Sequence, residues 1–419
     1  MMAQPRVEER RMRVLHFSNG EARGGAEEHM LTLLRGLNRR RFELLLACPP
    51  ALGAQLPDLP ADIRVTPWAP MNPWEAAPGW RLARFLRRER VDLVHAHLSC
   101  ASRAVAPWAR LAGAVMLETP HVREGWRRGW KRSARLDRAA GRLQHGYIAV
   151  SEANARYLRE DLRLPADKIR IIRNGIDVAR FAAPLPPERD PRPAHGIAPG
   201  ELLLVCAARL EPQKGHSVLL QALAQLPASL FNRLRLVCLG DGSLREALRQ
   251  QARALGLAER VQWLGFCAQI EHWLAVADIF VLPSFYEGLP LSAMEASAAG
   301  CPVVATAVDG TPEVVEHGCN GLLVPAADPP ALAQALLRLG EDGAARRALG
   351  EAGRQRARAA FDQAQQIAAT AGYYRDLLAA AVYRRVAQRW RVTAGAARGV
   401  AAAAPPQRAR VKPEGRRSA

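Results

Sequence analysis

The feature that most narrows the fold is an alternation sustained from residue 12 to about 360, in which short apolar runs are followed by turns and helical patterns. Met12 to Phe17, Leu44 to Ala47, Leu93 to Ala96, Val115 to Leu117 and Tyr147 to Val150 are such runs in the first half. Between them lie helical patterns from Gly24-Gly25 through about Arg35, from Trp80 to Arg90 and from Glu152 to Arg159. Apolar runs without polar alternation suit strands buried on both faces, as parallel strands under crossover helices are. The pattern predicts an α/β fold of parallel sheets.

One interruption divides the chain. Residues 182 to 199 carry six prolines, too many for either element, and read as an interdomain linker. The alternation then restarts with Leu202 to Ala207, Leu234 to Leu239, Val261 to Leu264, Ile279 to Leu282, Val303 to Ala305 and Gly321 to Val324. Helical patterns at 216 to 226, at 243 to 255 and from about Pro330 to 359 accompany these runs. The expected organisation is an N-terminal Rossmann-like domain at 1–181, the linker at 182–199 and a second Rossmann-like domain at 200–360. A helix at 361–390 is expected to cross back to the first domain, and 391–419 to be a basic disordered tail. A length of 419 residues fits two domains of this size.

The seven cysteines contain no C-x-x-C pair and several sit inside apolar runs, so they read as free thiols of a reducing compartment. The charged start and the short apolar run after it do not read as a signal peptide, and no run approaches membrane-spanning length. A cytoplasmic location is expected, with peripheral attachment to the inner face of the cytoplasmic membrane as an option. The net charge of +19 is unevenly placed. Residues 1–180 hold 32 Lys and Arg against 19 Asp and Glu, residues 200–360 hold 14 against 16, and the last 39 hold 10 against 1. One half is built to meet an anionic surface and the other is not.

Chemistry-bearing residues gather where the chain leaves its strands, the ligand side of such sheets. After Ile279 to Leu282, Glu287 lies in a loop and Glu295 in the helix that Pro290 begins. Sugar hydroxyls would suit a carboxylate in that apolar setting, and the free N–H groups of the helix start suit phosphate. The plain alternative is a solvated Glu287 and a Glu295 that only complements the helix dipole. After Leu202 to Ala207, Arg209 and Lys214 stand five residues apart and could converge on a diphosphate, or be surface charges about a turn. Gly240 and Gly242 form a tight turn after another strand, and Gly24 and Gly25 permit close backbone approach before a helix. No G-x-G-x-x-G occurs there, which argues against a dinucleotide cofactor. His95, His97 and His121 end strands, and Ser151 reads as a helix N-cap.

These residues, taken together, resemble the retaining glycosyltransferases of family 4, which have the GT-B fold of two Rossmann-like domains facing across a cleft. The likeness runs from about 12 to 385. It rests on Ser-Phe-Tyr-Glu-Gly-Leu-Pro-Leu-Ser-Ala-Met-Glu-Ala around Glu287 and Glu295, on Arg209 and Lys214, and on Gly24-Gly25-Ala26-Glu27. Val150-Ser151-Glu152, Asn174-Gly175-Ile176-Asp177 and Asn320-Gly321-Leu322-Leu323-Val324 match as well. The resemblance implies that Glu295 holds the ribose of a nucleotide sugar and that Glu287 lies against the donor sugar. It implies that Arg209 and Lys214 neutralise the departing diphosphate, and that Gly24 and Gly25 pack against it. Gly240, Gly242, Gly288 and Leu289 would complete the donor site, and His121 would approach the donor sugar and the acceptor hydroxyl. No cofactor is implied and, with no Asp-x-Asp motif, metal independence is expected. Ala208 and Asp309-Gly310 depart from the family pattern, where glycine often precedes the Arg and two glycines are common.

The acceptor is expected on the basic N-terminal half, as a glycolipid or polysaccharide of cell-envelope assembly. Trp126, Arg127, Arg128, Trp130, Lys131 and Arg132 interleave tryptophan with cations, which suits an anionic membrane or anionic glycolipid, or else is a solvated helix face. No nucleic-acid recognition module is present, so nucleic acid is not expected as a partner. Two rivals stand beside a transferase. One is a sugar-nucleotide epimerase of the same architecture; the other is a non-catalytic basic binding protein on a degenerate transferase fold.

Overall fold

A computed structural model describes residues 10–56, 58–72, 75–121 and 130–400. Seven strands form the first sheet: β1 (Met12–Ser18), β2 (Phe42–Cys48), β3 (Arg64–Pro67), β4 (Leu93–His97), β5 (Val115–Thr119), β6 (Gly146–Ala149) and β7 (Ile169–Ile171). They pair in parallel in the order β3-β2-β1-β4-β5-β6-β7. A second sheet contains β8 (Leu202–Ala207), β9 (Leu234–Leu239), β10 (Val261–Gly265), β11 (Ile279–Leu282), β12 (Val303–Thr306) and β13 (Gly321–Val324). It too is parallel, in the order β10-β9-β8-β11-β12-β13. Each sheet winds outward in both directions from its first strand, so each reverses once, between β1 and β4 and between β8 and β11. Loops leaving the carboxyl ends of those paired strands diverge and open a crevice.

Both faces of each sheet are covered, which explains the continuous apolar runs. On β8, Leu202, Leu204 and Cys206 enter one core while Leu203, Val205 and Ala207 enter the other. On β1, Val14 enters one core of the first sheet and Leu15 and Phe17 the opposite one. Two edge strands, β3 and β7, carry no such signal; β3 is Arg-Val-Thr-Pro and largely exposed. Helix Ser99–Ala112 is equally inconspicuous in sequence, being built of small residues with Pro107 inside it.

In the proline-rich linker 182–199, prolines at the first helical positions start short 3₁₀ turns at Pro187–Arg189 and Pro193–His195. Ile197 anchors its end in the second domain's core. The final helix is Gln363–Val400, and its last part runs through a stretch rich in Ala, the best helix former. Its first half lies on the first sheet, where Tyr373, Tyr374 and Leu377 join Val14, Leu31 and Phe42. All seven cysteines are free: Cys48, Cys206, Cys238 and Cys301 are buried, whereas Cys319 is exposed. No described helix is long and apolar enough to cross a membrane.

Candidate active site

The second switch point, between β8 and β11, brings two loops together. Gly215, at φ +66°, closes the turn after Lys214, and a Cβ there would overlap the Pro283 carbonyl oxygen at the end of β11. This close approach seats the Lys214 ammonium 2.6 Å from Glu287 Oε1, while Ser284 Oγ donates to the same oxygen at 2.7 Å. Glu287 is buried, and that lysine is its ion-pair partner. The Glu287 N–H donates to Asp309 Oδ2 at 3.1 Å. Asp309 itself sits at φ +40°, which Asp tolerates better than most residues. The departure from glycine at 309 is therefore used: the carboxylate braces the Glu287 loop.

Glu295 differs from Glu287. It lies in the second turn of helix Leu291–Ala299, half-buried, and accepts no hydrogen bond from any described residue. Desolvation pushes its carboxyl up to about 7, Glu28 and Glu271 push the same way, and Arg180 pulls it down. Arg180 is committed elsewhere, donating to Glu271 Oε2 at 2.6 Å and to the Ala268 carbonyl at 2.9 Å. A desolvated, unbonded carboxylate at the mouth of a crevice is an acceptor awaiting donors.

Arg209 follows β8 and is exposed, with its Nε reaching within 4.0 Å of where a Cβ of Gly24 would stand. Gly24 and Gly25 begin helix Gly25–Gly36 of the first domain, and Gly25 faces Leu291 of helix Leu291–Ala299. Beside them Glu27 is buried; desolvation raises its pKa, which hydrogen bonds from its own N–H, Ser18 and Gly24, and the Arg209 charge, lower. Gly240 and Gly242 lie against the carbonyls of Ala208 and Leu210 and so support the Arg209 loop from below. The guanidinium, two glycines and a helix N-terminus thus surround one gap between the sheets, a setting suited to an anion.

The two domains touch at Gly288. A Cβ there would overlap the His121 carbonyl oxygen and come within 3.4 Å of Val150 Cγ2. The next residue, Leu289, is buried and accepts at its carbonyl from Asn174 Nδ2 at 3.2 Å. Asn174-Gly175-Ile176 also meets the returning chain. The Ile176 N–H bonds the Phe361 carbonyl, and the Gln363 N–H returns to the Ile176 carbonyl, where the final helix crosses back. Beside Glu287 and Gly288 a cavity of about 440 Å³ opens, lined among others by Asn154, Arg156, Tyr157 and Asp309. Ser151 caps the adjoining helix as expected, accepting from the Asn154 N–H at 3.0 Å.

His121 is buried and belongs to a cluster not apparent in the sequence. Its ring lies 4.7 Å from that of His29 and 5.8 Å from that of His97. His16 and His95 complete the group. Burial lowers the imidazolium stability of all five, His16 to about 3 and His29 to about 4, so they are neutral at pH 7.

The structure thus gathers Arg209, Lys214, Glu287, Glu295, Gly24, Gly25, Gly240, Gly242, Gly288, Leu289 and His121 around one cleft. Glu27, His29, Asn174 and Asp309 join them; of these only His29 did not stand out in the sequence. Trp126, Arg127 and Arg128 lie outside the described residues. Trp130, Lys131 and Arg132 begin helix Trp130–Gly141, with side chains outside the described set.

Two families match. Glycosyltransferase Family 4 covers residues 23–180, and Glycosyl transferases group 1 covers residues 188–356. The chain is 31 % identical over 402 residues to a D-inositol 3-phosphate glycosyltransferase of Xylanimonas cellulosilytica, covering 87 % of this chain and 94 % of that one. It is 30 % identical over 289 residues to a GDP-mannose-dependent alpha-(1-6)-phosphatidylinositol monomannoside mannosyltransferase of Mycobacterium tuberculosis, covering 66 % and 73 %. Among solved structures, Anabaena HepE in complex with UDP and glucose superposes with a TM-score of 0.77 at 23 % identity, over 87 % of this chain and all of that one.

Proposed function

The chain belongs to the family-4 glycosyltransferases, and from that premise we propose that it moves a sugar, with retention, from a nucleotide donor to a lipid-linked or polysaccharide acceptor. The observation that carries the reading is the Glu295 carboxylate, desolvated and without a hydrogen bond from the described residues, on a helix whose Leu291 lies against Gly25 of the helix start that Arg209 also approaches. Vicinal ribose hydroxyls would supply the donors that Glu295 lacks, and the diphosphate would take Arg209 and the N–H groups of helix Gly25–Gly36.

In this reading charge builds on the departing diphosphate, and the site answers it with positioned cations rather than a base. Arg209 makes no ion pair among the described residues, although its charge is felt by Glu27 and Glu211, and it supplies the positive charge. Lys214 is already ion-paired to Glu287, so it delivers a directed N–H rather than net charge. Glu287, fixed by Lys214, Ser284 and the Asp309 brace, would set the orientation of the donor sugar. The departing phosphate oxygen would take the acceptor proton on the face it leaves, which yields retention. Arg209 would neutralise charge on the diphosphate and Lys214 would hold it by a directed N–H, with no metal ion needed. The acceptor would enter through the cavity beside Glu287 and Tyr157. The basic N-terminal half would bring the enzyme to an anionic surface on the cytoplasmic side.

The test is transfer itself. A panel of radiolabelled nucleotide sugars is incubated with membrane lipid extract and with polysaccharide, and each fraction is counted. One donor should label one fraction with its anomeric configuration unchanged. Epimerised free donor without transfer, or an inverted product, would overturn the proposal.

A further inference from the structure

Two overlapping groups of three histidines bring one ring nitrogen from each member within 4.8 Å of the others: His16, His95 and His97, and His29, His97 and His121. Their hydrogen bonds separate them. In the first group His95 is spent on both sides, with Nδ1 2.6 Å from Tyr374 Oη and Nε2 2.7 Å from Thr119 Oγ1. His16 Nδ1 and His97 Nε2 bond one another at 3.0 Å, which leaves His16 Nε2 alone unpartnered on the His16 ring. In the second group His29 Nε2, His97 Nδ1 and His121 Nε2 have no hydrogen-bond partner, although the three side chains are 1 %, 0 % and 7 % exposed. Three buried imidazole nitrogens without partners, on rings that each bring a nitrogen within 4.8 Å of the other two, are costly unless something occupies the space between them.

We infer that His29, His97 and His121 form a site for a divalent transition-metal ion of the zinc type, with three imidazole ligands and an open fourth position. The outer partners suit such an ion. Asn174 Oδ1 lies 2.8 Å from His29 Nδ1 and accepts only when that nitrogen carries the proton, which leaves Nε2 with its lone pair. The Gln366 amide, 2.9 Å from the same Nδ1, asks for the opposite tautomer. A cation on Nε2 decides between them in favour of Nδ1–H donating to Asn174, as outer partners of metal-bound histidines do. His97 is held in the same way from behind by His16. This site is separate from the diphosphate cations and does not rest on the transferase reading.

The test uses untagged full-length protein stripped with a chelator. Cobalt(II) is titrated in and the visible d–d absorption of a low-symmetry nitrogen site is followed, then displaced with zinc. A stoichiometric band that zinc removes is expected. His29→Gln and His97→Asn should each weaken binding by more than the 10–100-fold that losing an outer partner costs, while His16→Gln should stay within that range. Melting curves in chelator establish that each variant is folded, and zinc should raise the melting temperature of the wild type but not of the two ligand variants. Absence of the band in the wild type, or a band of equal affinity in His29→Gln and His97→Asn, would overturn the inference. So would a loss only on replacing the exposed His317.

Discussion

Replacing Glu295 with Gln should stabilise the empty protein at alkaline pH and weaken it as a nucleotide binder, because one carboxylate serves both ends. Its carboxyl is raised from 4.5 to about 7 in the folded chain, chiefly by desolvation. Between those values the native state holds a proton that the unfolded chain has released, so stability falls as pH rises from about 4.5 and has fallen fully above about 7. At 1.36 kcal/mol per pH unit, the interval sets a ceiling of about 3 kcal/mol on the cost of carrying the ionised group. Gln carries no such cost. The difference in melting temperature between Glu295→Gln and wild type should be near zero at pH 4.5, grow through neutrality, and level off by pH 8.5 at a few degrees in the variant's favour. Glu118, also pushed up to about 7 by burial, titrates over the same range in both proteins and cancels in the difference. The same substitution should cost nucleotide affinity roughly 10–100-fold, the value of hydrogen bonds to a charged acceptor. An offset independent of pH would refute the desolvation argument, and unchanged affinity would remove Glu295 from the donor site.

The two cations should separate cleanly. Lys214→Ala leaves Glu287 buried without its partner and should destabilise the fold by about 3–5 kcal/mol. Arg209→Ala, at an exposed cation, should leave the melting curve within about 0.5 kcal/mol yet lower turnover by on the order of 10²–10³, read by steady-state kinetics. Gly288→Ala must push the His121 carbonyl away and should raise the Michaelis constant for donor while lowering the melting temperature; unchanged values in both would mean that the domains do not need this contact. Finally, the excess cations of residues 1–180 and of the last 39 should carry the protein onto anionic vesicles, at about 1 kcal/mol per Lys or Arg at the surface. Added salt should release it, and equal co-sedimentation with neutral vesicles would contradict this.

What the sequence disclosed follows from what local chemistry encodes. β8 and β11 were legible because strands buried on both faces read as unbroken apolar runs. β3, exposed at its sheet edge, and helix Ser99–Ala112, with Pro107 inside it, lacked any such signature. Arg209, Lys214 and Glu287 were legible because each lies in the loop that follows a recognisable strand, and Glu295 because it lies in the helix that Pro290 begins after β11. The histidine cluster was not, since its members are spread from 16 to 121. Only the parallel register of β1 on β4, with His16 opposite His95, and the helix after β1 bring them together. Nor could spacing show that Lys214 is ion-paired and Arg209 free, because that depends on the depth of Glu287 beneath the β11 loop.

The central claim is that the crevice between the two switch points holds a nucleoside diphosphate sugar, and a thermal-shift panel of nucleotide sugars on wild type and Arg209→Ala tests it most directly. A cognate donor at about 100 times its dissociation constant should add about 2.7 kcal/mol to the wild type. At the same concentration the variant should show a much smaller shift. No shift with any nucleotide sugar, or one of equal size in both proteins, would contradict the account.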